Sequence, residues 1–209
     1  MRIAVIGSGS MGSAIARSWS ELGHSVVIGT RTPDSKRVTS LVRKIGHGVV
    51  AASLNNSIEE ADVIVLAVPW IAAKQSIVCL GDLKGRVIID VTNPFLEGLK
   101  LEIGHIDSGG EQISRWSSGA HVVKALNIVD ARLIGVTSVD DRKITIPICG
   151  DDQNSKRLAI DLISHLGFDV IDAGKLKMSR LLEPLSLLMI KLSMRKEFGS
   201  EIGFRLLRN

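Results

Sequence analysis

Apolar residues in this chain come in short unbroken runs, at 3–6, 25–28, 49–52, 63–68, 87–91, 122–126, 144–148 and 170–171. Several of these runs are separated by segments, at 11–22, 35–45, 71–80 and 155–166, whose apolar positions recur every three or four residues. Continuous runs of four to six are what strands buried on both faces of a parallel sheet require, and the amphipathic segments supply the helical crossovers. The pattern predicts an α/β fold, a doubly wound and mostly parallel sheet. The stretch 93–119 is rich in Gly and Ser and reads as loop with a short helix. Residues 1–143 are expected to form the main domain, and 144–209 a small C-terminal helical/αβ appendage.

Length and composition narrow the class. A chain of 209 residues holds one well-buried domain plus a smaller piece. Hydrophobic content of 45% and charged content of 23% are those of a soluble globular protein. No Tyr is present, which leaves no aromatic platform for single-stranded nucleic acid. The two cysteines, Cys79 and Cys149, make no C-x-x-C pair and no metal spacing, so reduced packing residues, no metal and a cytoplasmic location are expected. A strand starting at residue 2 leaves no room for a signal peptide, and the apolar run 185–190 is too short to span a bilayer. The net charge of +4 sits at one end: 175–209 carries eight Lys and Arg against three acids, whereas 1–174 carries 18 against 19. That basic segment is either a solvated helix face or an attractor for an anionic ligand.

The sharpest motif is Gly7-Ser8-Gly9-Ser10-Met11-Gly12, which follows the first strand and opens a helix. In that context it is the dinucleotide-binding fingerprint of the Rossmann fold. Gly7 permits the tight turn, Gly9 lets the backbone approach a pyrophosphate, and Gly12 lets the helix pack on the sheet. The free N–H groups and positive dipole end of the helix then face the phosphates. The second strand ends in Gly29-Thr30-Arg31-Thr32, with no Asp or Glu to bind a ribose 2′-hydroxyl. Arg31 can pair with a 2′-phosphate, Thr30 can donate to it, and Lys36 or Arg37 can add charge. These residues predict NADP.

Ligands of open parallel sheets lie outside the carboxyl ends of the strands. The fourth strand ends in Ala67-Val68-Pro69-Trp70, so Val68 and Pro69 border the ribose and nicotinamide; Trp70 is either a pocket wall or packing for the next helix. Asn93, after the fifth strand, either holds the nicotinamide or acceptor by its amide or is a turn residue before Pro94. Asn127, after the sixth, presents the same alternatives.

Taken together, the 7–12 loop, Gly29-Thr30-Arg31, Val68-Pro69-Trp70, the run His121 to Asn127, Pro147 to Asp152, Asp172-Ala173-Gly174 and Ser179 to Glu183 resemble the NADPH-dependent deazaflavin (coenzyme F-420) oxidoreductases. The set is also similar to the cytosolic oxidoreductase domain of the six-transmembrane epithelial antigen metalloreductases. The resemblance implies that Ser8, Gly9, Ser10 and Met11 hold the pyrophosphate and Thr30 and Arg31 the 2′-phosphate. Pro69 and Trp70, with the segments ending at Asn93 and Asn127, would flank the nicotinamide; Val68, Pro94 and Ala125 complete the expected cofactor set. The acceptor, deazaflavin or FMN/FAD, would be covered by Ala173, Gly174, Leu176 and the helix that follows. The 90–94 turn is more polar than the deazaflavin enzymes lead one to expect, and the membrane domain of the metalloreductases has no counterpart in these 209 residues.

Hydride transfer between two cofactors explains the lack of a catalytic triad: the protein positions two rings and stabilises charge on the reduced acceptor. Asn93, Asn127, Lys124 or a backbone N–H are the candidates for that charge, and no obligatory acid–base residue is expected; His121 and His24 read as structural. The segment 178–194 is apolar almost all round, with polar breaks at Ser186, Lys191 and Ser193. It is expected to cover the acceptor and to pack either on a second subunit, as a homodimer, or within its own chain. The rival functions are an NADPH-dependent flavin or ferric reductase and a non-enzymatic NADP-binding redox sensor. An imine or keto-acid reductase would need a longer helical C-terminal domain.

Overall fold

The computed structural model describes residues 1–136, 143–199 and 201–207. In chain order the elements are β1 (Arg2–Ile6), α1 (Ser10–Glu21), β2 (Ser25–Gly29), α2 (Lys36–Ile45), β3 (Val50–Ala52), α3 (Leu54–Ser57), β4 (Val63–Leu66), α4 (Trp70–Leu80) and β5 (Val87–Asp90). There follow β6 (Phe95–Leu96), β7 (Lys100–Leu101), α5 (Gly109–Trp116), β8 (His121–Lys124), β9 (Thr145–Gly150), α6 (Gln153–His165), β10 (Asp169–Asp172) and α7 (Ser179–Ser193). Every apolar run singled out in the sequence lies on a strand of the main sheet, within a residue or two at the ends.

Eight strands form that sheet in the order β10-β9-β8-β5-β4-β1-β2-β3. The run β3-β2-β1-β4-β5-β8 is the 3-2-1-4-5-6 order of a Rossmann sheet, and all its pairs are parallel. The direction of strand addition reverses at β1 and β4, and the crevice between their carboxyl ends is where such folds bind ligands. Side chains alternate in strict period two. Ile3 and Val5 of β1 join Ile15 and Trp19 of α1 and Leu162 and Ile163 of α6 on one face. Ala4 and Ile6 join Ala73 and Ile77 of α4, Ile113 of α5 and Leu182 of α7 on the other.

The boundary expected at 143/144 falls inside this architecture. β9 joins β8 antiparallel, β10 joins β9 parallel, and both extend the same sheet. The buried indole of Trp19 donates to the Leu162 carbonyl at 3.0 Å, tying α1 to α6 across the shared core. The C-terminal third therefore adds strands to the same sheet and helices to the core on both of its faces.

Two features were not legible in the residue pattern. The 93–119 stretch contains the β6–β7 hairpin besides α5, and the four-residue α3 precedes β4. Two-residue strands and a single helical turn are too short to leave a period. Helix α7 also departs from burial all round. Ser179, Leu182, Glu183 and Ser186 face inward, while Leu181, Leu188 and Met194 are 62%, 53% and 70% exposed. Among the described residues no helix is long and apolar enough to cross a membrane.

Candidate dinucleotide and acceptor site

The glycine loop is built around backbone contacts that admit no side chain. Gly7 has φ of +119°, and a Cβ there would lie 2.3 Å from the Ala67 carbonyl oxygen. A Cβ on Gly12 would lie 2.1 Å from the Gly7 carbonyl oxygen, so α1 packs directly on the loop. The space a Cβ of Gly9 would enter is open. Gly9 caps α1 without a side-chain hydrogen bond, and the first turn carries no acidic residue. The α1 amides and the positive end of the helix dipole are thus offered outward, the arrangement that receives phosphate oxygens.

A cavity of about 480 Å³ lies over this loop, bounded by residues 7–9, Gly29, Thr30, Arg31, Thr32, Arg37 and residues 67–69. Its lining carries two arginines and no carboxylate, which suits a 2′-phosphate and disfavours a site built for the bare hydroxyl. Of the two candidates for a second cation, Lys36 and Arg37, it is Arg37 that lines this cavity. Arg37 donates from Nη1 to the Ser8 carbonyl (3.0 Å) and from Nη2 to Ser8 Oγ (2.6 Å), bridging α2 to the glycine loop. Lys36 is exposed and lines neither cavity, because the first turn of α2 turns it away.

A second cavity, about 730 Å³, adjoins the first and shares Gly9, Ala67, Val68 and Pro69 with it. Ser10, Met11, Trp70, residues 91–93, Phe95 and residues 127–132 line it, and α7 closes one side with Ser186, Met189, Ile190 and Ser193. Trp70, the first residue of α4, walls the cavity, the first of the roles foreseen for it; its indole donates to Glu102 beyond β7, and its ring lies 5.3 Å from that of Trp116 in α5.

At the floor of this cavity Asn93 and Asn127 are joined side to side. Asn93 Nδ2 donates to the Asn127 carbonyl (2.8 Å), and Asn127 Nδ2 donates to both Asn93 Oδ1 (3.1 Å) and the Leu182 carbonyl (3.0 Å). Two acceptors around Nδ2 fix which way the Asn127 amide points. Its Oδ1 is consequently left buried and without a partner. A buried amide oxygen without a donor costs about 1–3 kcal/mol, so the site is complementary to an N–H group such as a carboxamide. Leu126, fully buried, holds the left-handed conformation at φ +57° and turns the chain so that the Asn127 carbonyl also accepts from Ser186 Oγ (2.6 Å). Left-handed backbone at a buried, branched residue is unfavourable and is retained where surrounding contacts demand it.

Behind this floor lies a charge cluster that the sequence did not reveal. Lys124 Nζ donates to Asp90 Oδ2 (2.7 Å) and the Thr92 carbonyl (2.7 Å) and meets Glu183 Oε1 at 2.9 Å. All three charged side chains are at most 1% exposed. Burial opposes the ammonium charge, but the carboxylates of Asp90 and Glu183 outweigh it and raise the Lys124 pKa. Glu183 also accepts from the amides of Gly109 (2.9 Å) and Gly110 (3.0 Å), at the positive end of α5. Lys124 therefore has all three donors engaged and no face on either cavity. It is removed from the candidates for stabilising a reduced acceptor.

Further expectations need correction. Ala173, Gly174 and Leu176, expected over the acceptor, line neither cavity. The β9–β10 pair sits at the edge of the sheet, so the chain after β10 runs beside β9: the Gly174 carbonyl accepts from Gly150 N (3.0 Å), and Leu176 is buried in the core. Pro94 and Ala125 are likewise buried behind the lining, Pro94 against α5 and Ala125 in the core. The larger cavity is walled by α7, the helix expected to follow Ala173, Gly174 and Leu176 there, and by residues 128–132, which the sequence reading had not singled out. His121 opens β8 at an exposed position, and His24 sits at the α1–β2 turn, both remote from the cavities.

Residues 2–94 match the family model described as NADP oxidoreductase, coenzyme F420-dependent. The F420-dependent NADP reductase of Methanocaldococcus jannaschii is 26% identical over 211 aligned positions, covering 93% of both chains. Metalloreductase STEAP3 of Rattus norvegicus is 27% identical over 190 positions; the match takes in 90% of this chain but spans only 37% of that protein. A crystal structure from Arthrobacter sp. FB24, assigned as an F420-dependent NADP reductase, superposes with a TM-score of 0.90 at 29% identity over 99% of each chain. By sequence and by three-dimensional fold, the chain is similar over at least nine-tenths of its length to F420-dependent NADP reductases, and by sequence also to the metalloreductase.

Proposed function

We propose that this chain is an NADP-dependent oxidoreductase that passes hydride between NADPH and a deazaflavin-type acceptor, coenzyme F420 or a close chemical relative. The observation that carries the reading is the pair of adjoining cavities, the smaller one cationic and over the glycine loop, the larger one lined by Asn93 and by Asn127, whose buried Oδ1 has no partner among the described residues. In this reading the α1 amides and Ser8, Ser10 and Met11 hold the pyrophosphate. Thr30, Arg31 and Arg37 take the 2′-phosphate, and Asn127 Oδ1 accepts from the carboxamide. NADPH supplies the hydride, and the protein supplies alignment and the exclusion of water.

The chemistry of the larger cavity supports a cofactor-like acceptor. Among its described lining residues only Asp130 and Arg132 are ionisable, and they bind each other through Nε–Oδ1 (2.9 Å) and Nη2–Oδ2 (3.1 Å). Ser186 and Ser193 spend their hydroxyl protons on the carbonyls of Asn127 and Ile190. Reduction of a ketone or imine needs a proton donor beside the hydride acceptor; a deazaflavin or flavin ring does not need one from the protein. A redox sensor has no use for a 730 Å³ space next to the dinucleotide site.

NADPH oxidation followed at 340 nm, with deazaflavin, FMN, FAD, riboflavin and ferric chelates offered in turn and NADH as control, tests the proposal. Turnover specific to NADPH and deazaflavin is expected. Turnover with flavins, and ferric reduction only when flavin is present, would replace it by the flavin and ferric reductase reading, which the likeness to STEAP3 favours. NADPH binding without turnover on any acceptor would leave the sensor. The exposed Leu181, Leu188 and Met194 of α7 support a homodimer, and two free thiols support a reducing, cytoplasmic location.

A further inference from the structure

We propose that the buried Asp90–Lys124–Glu183 cluster is a positioning device, which sets the Thr92–Asn93 floor and the α7 wall of the larger cavity against the sheet and leaves the grip on the dinucleotide's phosphates, the main source of its affinity, to the glycine loop, Thr30, Arg31 and Arg37. The inference rests on the hydride-transfer reading above. None of the three side chains touches either cavity, so none is a catalytic residue. Asp90 and Lys124 are each one hydrogen bond from Thr92, which lines the larger cavity, and Glu183 sits in α7, the helix that supplies Ser186, Met189, Ile190 and Ser193 to it. Asp90 Oδ1 accepts from both Thr92 N (2.9 Å) and Thr92 Oγ1 (2.7 Å), and Lys124 holds the Thr92 carbonyl from the other side. Thr92 is thereby fixed through its amide, hydroxyl and carbonyl, and Asn93, the next residue, inherits its orientation. Glu183 anchors α7 one turn before Ser186, whose hydroxyl reaches the Asn127 carbonyl. The Leu182 carbonyl, just before Glu183, accepts from Asn127 Nδ2.

The cluster joins β5, β8, α5 and α7 at a single ammonium. Of these, β5 and β8 lead into residues 91–93 and 127–132 and α7 supplies Ser186 to Ser193, the far side of the larger cavity, whereas the glycine loop, Thr30, Arg31 and Arg37 line the smaller one. Two carboxylates face one ammonium, and the α5 amides offset the surplus negative charge. Desolvation cancels much of the attraction within such a buried group, so apolar packing would serve stability as well. What charges with fixed donors supply, and apolar packing does not, is a single geometry.

The decisive variant is Glu183→Gln, which keeps the shape and removes the charge facing Lys124. Arg180→Met is its control, since Arg180 joins α7 to α5 only through Glu111, outside the cluster. NADPH affinity is read from cofactor fluorescence, and kcat from whichever acceptor the wild type reduces. For Glu183→Gln the account expects NADPH Kd within about threefold of wild type and kcat lower by about tenfold or more; for Arg180→Met, kcat stays within about twofold. Unchanged kcat in Glu183→Gln, a parallel loss of NADPH affinity, or an equal loss in Arg180→Met overturns the proposal. If Glu183→Gln does not fold, the triple variant Asp90→Asn, Lys124→Met, Glu183→Gln removes the charges together and faces the same criteria. Should the wild type reduce no acceptor, hydride transfer itself fails and hydrogen exchange of the NADPH complex decides. Faster exchange at 92–95 and 182–190 with 7–16 unchanged upholds positioning, and uniform or unchanged exchange refutes it.

Discussion

Single residues divide sharply between those that touch a ligand space and those that hold others in place. Arg31 belongs to the first kind: it is exposed at the end of β2 and lines the smaller cavity. A charge-assisted contact is worth about 1.5–3 kcal/mol, so Arg31→Ala should weaken NADPH binding by roughly one to two decades and leave NADH binding unchanged. Titrating both cofactors against the variant checks this; equal losses would show that Arg31 does not read the 2′-phosphate. Cys149 belongs to the second kind. Burial pushes its thiol up to about 11, against smaller opposing effects from Ser179 and Lys124. At pH 8 only about a thousandth of it is thiolate, whereas Cys79 is exposed. Mass spectrometry of native protein after iodoacetamide should find Cys79 alkylated and Cys149 intact until denaturant is added.

Helix α7 shows at the scale of an element why some of the site was legible and some was not. The glycine fingerprint and the Thr30-Arg31 turn could be read because their chemistry is carried by consecutive residues. The wall of the larger cavity could be read only in part: α7 was expected there, but the loop after β8 and Ile202 join it from far away in sequence. Glu183 was nevertheless visible as an acid in an apolar helix; what was missing was that Lys124 and the α5 amides await it. Ala173, Gly174 and Leu176 were expected from the family resemblance alone, and the chain at the end of β10 lines neither cavity. The outer bond between α7 and α5 has a pH signature. Hydrogen bonds from Arg180 lower the Glu111 pKa below its ordinary 4.5, more than burial raises it. A depressed carboxyl stabilises the fold above its unfolded pKa and loses that contribution as pH falls through the folded value. The Tm difference between wild type and Glu111→Gln should therefore be fullest near neutrality and shrink below pH of about 4.5. A difference independent of pH would mean that the pair contributes shape and no charge.

The whole molecule places two adjoining cavities along one crevice, and the proposed function gives a ligand to each. The 3-2-1-4-5-6 strand order was implied by alternating runs and helices, but the antiparallel entry of β9 was not, because direction leaves no trace in an apolar run. That entry makes the C-terminal third an extension of the sheet and carries α7 back over the crevice, where it closes one side of the larger cavity. The central claim is that hydride passes directly between two rings held in adjoining cavities. Its most direct test uses NADPH carrying deuterium at C4 and follows the label by mass spectrometry and NMR, with a deazaflavin acceptor whose C5–H bond does not exchange with water. The account predicts deuterium on C5 of the reduced acceptor, delivered from one face of the nicotinamide only. Label released to solvent, or NADPH left unoxidised, would contradict it.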